Sequence, residues 1–367
     1  MAKDLGEDLE SEILVRLPAK SLMRFKCVQR SWNALFRNHR FLMSHVNMQM
    51  SKERLMVFGL DREMEFEKIV SLTCDDPSQS PQYLNCSPLD NSFKFHMSYG
   101  SCNGVFCVGM CNEEIYDLSG VYQLILWNPI TRESKLIPFP SEKPSYKLHG
   151  FGVDPNTNDF KIIKPTINFE GSCRPLIAYA EVYNLSTNSW TSIHVVTLPH
   201  AESVKTQYYY SCVLVNGVYH WLIAYEGGFG YILCFDFRNN QFSKLTAPVD
   251  LPNDERHMDT DKIAEVNGSL GYIIQYLEQE RLEIWIMNEH KWTKTHSVVW
   301  PTDIFIFGVW KDGNQLLGQK NINQDKDEKR LTIYNLDAQP FHQFQVLNLH
   351  PYSQINKYVE SIVPLST

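Results

Sequence analysis

The sequence has no apolar stretch that approaches the roughly 18 residues needed to span a membrane as a helix. Residues 1–8 are acidic and contain no apolar run, which is unlike the apolar segment of a secretory signal peptide. We therefore expect the protein to reside in the cytoplasm or the nucleus and to have no membrane partner.

Sequence motifs of common catalytic chemistry are also missing. There is no G-x-S-x-G, no H-E-x-x-H, no P-loop and no dinucleotide fingerprint. The nine cysteines include no C-x-x-C pair, and the cluster of Cys102, Cys107 and Cys111 has no histidine or fourth cysteine at zinc spacing. His220 beside Trp221 is more typical of a packed strand histidine than of a ligand. We expect no catalytic residue, no metal and no cofactor.

Positive charge is scarce beyond the first 50 residues. The chain carries 34 Lys and Arg against 42 Asp and Glu, a net charge of −8. Residues 1–50 have a balance of +3, and the remainder has a balance of −11. An acidic large domain argues against nucleic acid as a partner and favours a basic protein, although solubility alone also explains such charge.

The first 50 residues follow a helical period. The apolar residues of one helical face are Leu9, Ile13, Leu14 and Leu17. Pro18 is predicted to end that helix, Ser21 to cap a second one, and a third helix is predicted to follow Ser31. Three such short helices bury too little surface to be stable alone, so we expect this unit to complete its core against a partner.

From residue 54 onward, strand-like segments alternate with polar turns. Aromatic anchors recur at positions 127, 183, 235, 285 and 334, which are 56, 52, 50 and 49 residues apart. This period is typical of four-stranded propeller blades. Tight glycine turns are predicted at 103–104, 150–152, 216–217, 267–268 and 312–313.

The predicted fold class is a small all-α domain, residues 1–50, followed by an all-β kelch-like propeller of six blades, residues 54–363. Residues 54–72 are predicted to form a partial first blade. A strand at 358–363 is predicted to complete that blade, because closure removes a free sheet edge.

The helical segment resembles the F-box of plant F-box proteins. The resemblance is carried by residues 12–28, EILVRLPAKSLMRFKCV, and by Trp32. It implies that the helices dock on a Skp-type adaptor, which bridges to a cullin scaffold. The positions that match the adaptor contacts of the family are Leu5, Leu9, Leu14, Leu17, Pro18, Leu22, Val28 and Trp32. The family has Leu-Pro where this chain has Leu5-Gly6, and the entropy cost of glycine in a first helical turn predicts weaker adaptor binding.

The repeats resemble the F-box-associated domain of plants. The matching segments are SCNG at 101–104, WNPITR at 127–132, GFGVDP at 150–155, EVY at 181–183, NGVYHW at 216–221 and IWIM at 284–287. SLMRFKC at 21–27 and YVESIV at 358–363 are similar to the S-locus F-box group, which recognises ribonucleases and marks them for ubiquitination.

The resemblance implies a non-catalytic subunit that recognises substrates for a Skp–cullin–F-box ubiquitin ligase. A basic S-locus ribonuclease is the target implied by the subgroup. An F-box receptor for another intracellular target, such as an immune receptor, is the alternative. A propeller enzyme would need a copper site or a carboxylate constellation, and none can be assembled from the sequence.

Target contacts are predicted in the loops that interrupt the repeat, namely 74–95, 165–177, 198–207, 224–230 and 250–261. The last loop is the most acidic of them. Its carboxylates are predicted to meet a basic partner, and they are Asp250, Asp254, Glu255, Asp259 and Asp261. A merely solvated loop is the other interpretation of the same charge.

Overall fold

A computed structural model of the protein describes residues 2–60, 67–73, 82–83, 93–112, 123–140, 149–167, 178–194, 211–223, 231–248, 261–310, 313–323, 328–336, 342–343 and 354–365. No helix within these ranges is long and apolar enough to cross a membrane. The chain divides into two compact units, one of Met1–Phe139 with Tyr352–Thr367 and one of Pro140–Pro351. The predicted domains 1–50 and 54–363 follow another division and stay a prediction.

The first unit begins with four helices. They are α1 (Ala2–Leu14), α2 (Ala19–Phe25), α3 (Arg30–Leu35) and α4 (His39–Gln49), followed by a 3-10 helix at Met50–Lys52. Pro18 stands at the N-cap of α2, so the prediction that Ser21 caps this helix is wrong. Helix α3 already contains Ser31, and therefore begins slightly earlier than predicted.

Helix α4 is an element that the sequence analysis missed. Asn38 caps it, because its Oδ1 accepts hydrogen bonds from the backbone N–H groups of Arg40 at 2.9 Å and Phe41 at 3.4 Å. The buried side chains of this helix recur at helical spacing, and they are Phe41, Leu42, His45, Val46 and Gln49. An asparagine followed by this apolar spacing is the signal that could have predicted α4.

Two four-stranded sheets complete the first unit. One has the order β24-β1-β2-β3, with β1 (Arg54–Leu60), β2 (Glu67–Thr73), β3 (Gln82–Tyr83) and β24 (Gln354–Tyr358). The other has the order β4-β5-β6-β7, with β4 (Phe93–Cys102), β5 (Val105–Asn112), β6 (Gln123–Asn128) and β7 (Glu133–Leu136). Their shared core includes Met56, Phe58, Phe106, Ile125, Trp127 and Tyr358.

The second unit contains four sheets of four strands each. The first two are β8 (Gly150–Val153), β9 (Phe160–Ile167), β10 (Ala178–Asn184) and β11 (Ser189–His194), then β12 (Cys212–Val215), β13 (Val218–Ile223), β14 (Tyr231–Asp236) and β15 (Gln241–Thr246). The other two are β16 (Lys262–Val266), β17 (Ser269–Tyr276), β18 (Arg281–Asn288) and β19 (Lys291–Val299), then β20 (Ile304–Trp310), β21 (Gln315–Asn323), β22 (Glu328–Asn335) and β23 (His342–Gln343).

The burial pattern of each strand fits its position within its sheet. Strands β13, β14 and β17 are buried along nearly their whole length, as expected for strands covered on both faces. Strands β7, β15 and β19 alternate between exposed and half-buried residues, as expected at a sheet edge. The antiparallel pairing of every neighbouring pair of strands fits the short turns predicted from the sequence.

The Asn-Gly turns adopt the predicted conformation. Asn103, Asn216 and Asn267 each have a φ of 50°, and each is followed by a glycine of positive φ. The turn predicted at 150–152 is wrong, because these residues lie in β8. Their glycines leave room for neighbours, since a Cβ on Gly152 would lie 2.5 Å from the Phe237 ring.

The strand near the end of the sequence lies earlier than predicted. Strand β24 pairs antiparallel with β1, with Tyr358 opposite Arg54 and Gln354 opposite Phe58. The predicted strand at 358–363 is therefore wrong beyond Tyr358. Residues 359–365 leave the strand because their polar groups bond to turns of the β4–β7 sheet.

Candidate functional site

Helix α1 exposes an apolar ridge. The side chains of Leu9 and Ile13 lie one helical turn apart, and they are 60% and 63% exposed. The side chain of Leu5, the predicted contact one turn earlier, lies outside the described side chains. Exposed leucine and isoleucine side chains on one face provide a surface that a partner can bury.

Side chains of α4 stabilise the turn between α1 and α2 by hydrogen bonds. The Leu17 carbonyl accepts hydrogen bonds from His45 Nε2 at 3.0 Å and from Gln49 Nε2 at 3.3 Å. His45 is fully buried, and desolvation lowers its pKa, so the imidazole is neutral in the folded protein. Leu17 is half-buried and Pro18 is exposed, which leaves both available at the surface of this turn.

Two of the predicted contact residues lie in the interior. Leu14 is 4% exposed and Leu22 is 0% exposed. A side chain already buried in the chain has little surface left for a partner, so burial does not favour a direct contact of Leu14 and Leu22 with the adaptor, and that contact stays a prediction. Their role in the helical unit is to hold α1 and α2 together.

A second exposed apolar residue stands between α2 and α3. Val28 is 66% exposed. Trp32 on α3 is half-buried, its ring lies 5.6 Å from that of Phe25, and its Nε1 donates to Glu10 Oε2 at 3.0 Å. The tryptophan thus ties α3 to α1 and keeps part of its ring accessible.

The helices also carry an uneven charge. Residues 13–52 contain basic residues but no Asp or Glu, whereas acidic residues are concentrated in residues 4–12. Desolvation lowers the pKa of Lys26, although Glu133 of the β4–β7 sheet opposes this shift by raising it. Val28 therefore lies between the exposed cations Arg24 and Arg30 in the sequence, whereas Leu9 on α1 is flanked by the exposed carboxylates of Asp8 and Glu10.

The acidic loop predicted to bind a target is only partly described. Asp250, Asp254, Glu255 and Asp259 lie outside the described residues, as do 198–207 and 224–230 entirely and most of 74–95 and 165–177. Asp261 is described and is 2% exposed, and its Oδ2 accepts a hydrogen bond of 2.8 Å from the Tyr272 hydroxyl. Its carboxylate is thus engaged within the fold, which does not favour a target contact, and the role of Asp261 in target binding stays a prediction.

Ionisable groups in the strands are mostly engaged in structural pairs. Lys161 Nζ lies 2.8 Å from Asp154 Oδ2, and Lys164 Nζ lies 3.2 Å from Glu181 Oε2, with all four side chains buried. Burial is the largest single effect on the Asp154 carboxyl and raises its pKa, but hydrogen bonds led by that from Lys161 outweigh it, so the pKa is lowered. These pairs join neighbouring strands and provide no obvious substrate position.

Burial also keeps two cysteines and a histidine of the strands in their neutral forms. Burial raises the pKa of Cys234 to about 12 and also raises that of Cys107, so both thiols stay protonated. Burial lowers the pKa of His220 to about 4, and the side chain is 6% exposed. Among the residues that the structure describes, no group of three or more His, Cys, Asp or Glu could hold a metal ion.

These features define a class of protein in which a small helical unit with an exposed apolar surface precedes a large set of four-stranded sheets. The family of the F-box associated beta propeller domain matches residues 62–365. The chain belongs to this family. This confirms the resemblance to plant F-box proteins with an F-box-associated domain, and the S-locus subgroup remains a prediction.

Known proteins similar to the chain carry F-box names. F-box protein CPR1 of Arabidopsis thaliana is 22% identical over 97% of this chain and 88% of its own length. The putative F-box protein At3g16210 of the same plant is 26% identical over 68% of this chain, and the match spans 62% of that protein. The solved structure of TolB from Acinetobacter baumannii covers 87% of this chain and 72% of its own at 9% identity, with a TM-score of 0.49, which is too low to establish a shared fold.

Proposed function

We propose that the protein is the substrate-recognition subunit of a Skp–cullin–F-box ubiquitin ligase. The observation that carries the proposal is the exposed apolar surface of Leu9, Ile13 and Val28 on a helical unit joined to a β-propeller of the F-box-associated family. The helices would bury this surface against a Skp-type adaptor, and the adaptor would connect to a cullin. Such an assembly works in the cytoplasm or the nucleus.

The β domain would hold the target and perform no chemistry itself. Its contribution would be positional, because holding target lysines near a ubiquitin-carrying enzyme raises their effective concentration. We infer further that the four-stranded antiparallel sheets are blades of the β-propeller, with β24 joining β1 to complete the sheet that begins the domain. The loops that connect the strands would then provide its variable surface.

Adaptor binding is tested by changing exposed residues that the helices do not need for their own core. The double variant Leu9→Glu with Val28→Asp should lose co-purification with a purified Skp-type adaptor, because docking would bury two unpaired carboxylates. Val299→Asp is the matched control, because Val299 is 72% exposed and lies in the second unit. A folded double variant that binds the adaptor as well as the parent chain does would refute the proposal.

We propose that the target is a basic protein, with a ribonuclease as the subgroup resemblance implies. The −11 balance of residues 51–367 supports a basic partner, because such a field accelerates encounter with opposite charge. Changing Asp254, Glu255 and Asp259 to amides should slow target association and reduce its salt dependence. Glu278→Gln with Glu280→Gln is the matched control on an exposed turn, and equal association rates for all variants would remove this electrostatic argument.

A further inference from the structure

Residues 359–365 follow strand β24 and run across the turns of the β4–β7 sheet. Ser361, Ile362 and Leu365 are 0%, 1% and 3% exposed, so the segment is enclosed although it forms no strand. We call residues 359–365 the strap. A buried segment without ladder hydrogen bonds must satisfy its polar groups elsewhere, and the partners it uses indicate its role.

Asn128 is the main anchor of the strap. It is fully buried at the end of β6, and its Nδ2 donates to the carbonyl oxygens of Ser361 at 3.2 Å and Val363 at 2.9 Å. The Oδ1 of the same side chain accepts from the backbone N–H groups of Ile130 at 2.9 Å and Thr131 at 3.3 Å. One amide thus closes the β6–β7 turn and holds two strap carbonyls.

The strap is also fitted to the β4–β5 turn. The Ser361 hydroxyl donates to the Asn103 carbonyl at 2.6 Å. Gly104 has a φ of +78°, and a Cβ at this position would clash with Ser361 Oγ and would lie 2.7 Å from the Val359 carbonyl oxygen. The turn therefore needs glycine both for its backbone conformation and for the approach of the strap.

Two carboxylates hold the strap in place, and one of them also reaches helix α2. Glu360 Oε1 lies 3.1 Å from Arg54 Nη1 on β1 and 4.0 Å from Lys20 Nζ on α2. Glu133 Oε2 accepts a 2.6 Å hydrogen bond from the backbone N–H of Leu365, and the Glu133 charge acts on Lys26 just after α2. Lys20 on α2 thus lies within ion-pair distance of the strap carboxylate of Glu360.

We propose that the strap positions α2, and with it the apolar surface of the helical unit, against the β4–β7 sheet. The inference rests on the proposed function, because a fixed geometry matters where a bound adaptor must be held at a set distance from a bound target. Asn128, Glu133 and Glu360 are then positioning residues that touch neither partner. The strap would transmit the orientation of the sheet to the adaptor-binding helices.

The isosteric change Asn128→Asp tests the strap directly. It keeps the Oδ1 acceptor of the β6–β7 turn and places a carboxylate oxygen against two carbonyl oxygens in a buried site. Zero-length carbodiimide cross-linking of Lys20 to Glu360, quantified by mass spectrometry on the full chain alone, should fall at least about five-fold once the strap leaves its site. The Lys320–Asp303 cross-link, between atoms 3.5 Å apart on exposed side chains of the second unit, should be unchanged.

A second variant and a second measurement distinguish release of the strap from unfolding of the whole unit. Glu360→Gln removes the strap's charge and spares Asn128, and it should raise hydrogen exchange of α2 with little change in β5 and β6. Asn288→Asp, at an exposed position of β18, is the control for the change of amide to acid. Adaptor affinity should stay within about two-fold for Glu360→Gln, because the exposed apolar surface is intact.

The results of these experiments test the strap proposal and the proposed function independently. A parent chain that fails to bind the adaptor refutes the proposed function, whereas the cross-linking and exchange measurements need no adaptor. The strap proposal is overturned if Asn128→Asp leaves the Lys20–Glu360 cross-link intact. It is also overturned if exchange rises only in residues 359–365 and α2 stays as protected as in the parent chain.

Discussion

The helices and the sheets of this protein differ in how far they bury their large apolar side chains. Five of the nine exposed large apolar side chains of the described residues lie in the first 50 positions, and they are Leu9, Ile13, Val28, Met48 and Met50. The strands instead bury several of their largest side chains, including Trp127, Trp221 and Trp310. The sheets therefore carry their own core, whereas the helices keep exposed apolar surface that is available to a partner.

The difference also appears in the polar groups. In the strands, buried charges are paired within the sheets, as in Lys164 with Glu181 and in Glu283 with its cationic neighbours Arg281 and Lys294. In the helices, the closest ion pair is the exposed Arg16–Glu12 contact at 3.3 Å, which contributes little to stability. The sheets thus pair buried charges internally, whereas this ion pair of the helices is exposed to solvent.

The largest expected effect is a truncation in the sheet core. Trp127→Ala should lower the free energy of unfolding of the first unit by about 3–5 kcal/mol, because it leaves a cavity beside Phe106 and Tyr358. Urea denaturation followed by strand circular dichroism measures this loss. Leu136→Ala on the same sheet is 51% exposed and should cost less than about 0.5 kcal/mol. Equal losses for the two variants would mean that burial does not distinguish these positions.

A pH titration should show the next largest effect, in the second unit. Burial lowers the pKa of His220 from 6.5 to about 4, so the unfolded chain binds more protons than the folded one between these values. The contribution of the neutral His220 to the free energy of unfolding is fully present above about pH 6.5. It should fall by roughly 3 kcal/mol as the pH drops towards 4. His220→Leu should flatten the profile of unfolding against pH, and an unchanged slope would exclude His220 as its source.

The smallest expected effect concerns Gly6. The sequence places this glycine in a first helical turn, but α1 begins at Ala2, so Gly6 is inside the helix, where it is exposed and an alanine Cβ would have no other atom within 4 Å. Gly6→Ala should stabilise α1 by about 0.5–1 kcal/mol. Hydrogen exchange of α1 amides measures the gain, with Gly268→Ala as the contrasting change, since its φ of +72° should make alanine unfavourable. Faster exchange in Gly6→Ala would contradict this account.

Much of the fold could be predicted from the sequence because its signals are local. Asn-Gly turns need a positive φ at defined positions, and aromatic anchors every 50 or so residues mark repeated strands. The strap could not be predicted in this way. Its residues have the pattern of a strand, and only the distant partners Asn103, Asn128 and Glu133 explain why it is not one.

The burial of the candidate site residues could not be predicted from the sequence for a similar reason. The helical period marks apolar residues without telling which ones face the interior, so Leu14 and Leu22 were assigned to the same surface as Leu9 and Val28. Likewise, charge along the sequence marked Asp261 as part of an acidic loop, but its hydroxyl partner Tyr272 lies on the paired strand β17. Burial is a property of the assembled fold and has no reliable signal in a single sequence.

We propose that a Skp-type adaptor covers the exposed apolar surface of the helices and does not contact the sheets. Hydrogen exchange of the full chain, measured while purified adaptor is titrated, tests it most directly. Protection of α1, α2 and α3 should increase with adaptor concentration by up to about 100-fold at 100 times the dissociation constant, because binding stabilises only the folded helices. The amides of β13, β14 and β17 should exchange at the same rate throughout. Unchanged protection of the helices at saturating adaptor, or an equal increase in helices and strands, would contradict the account.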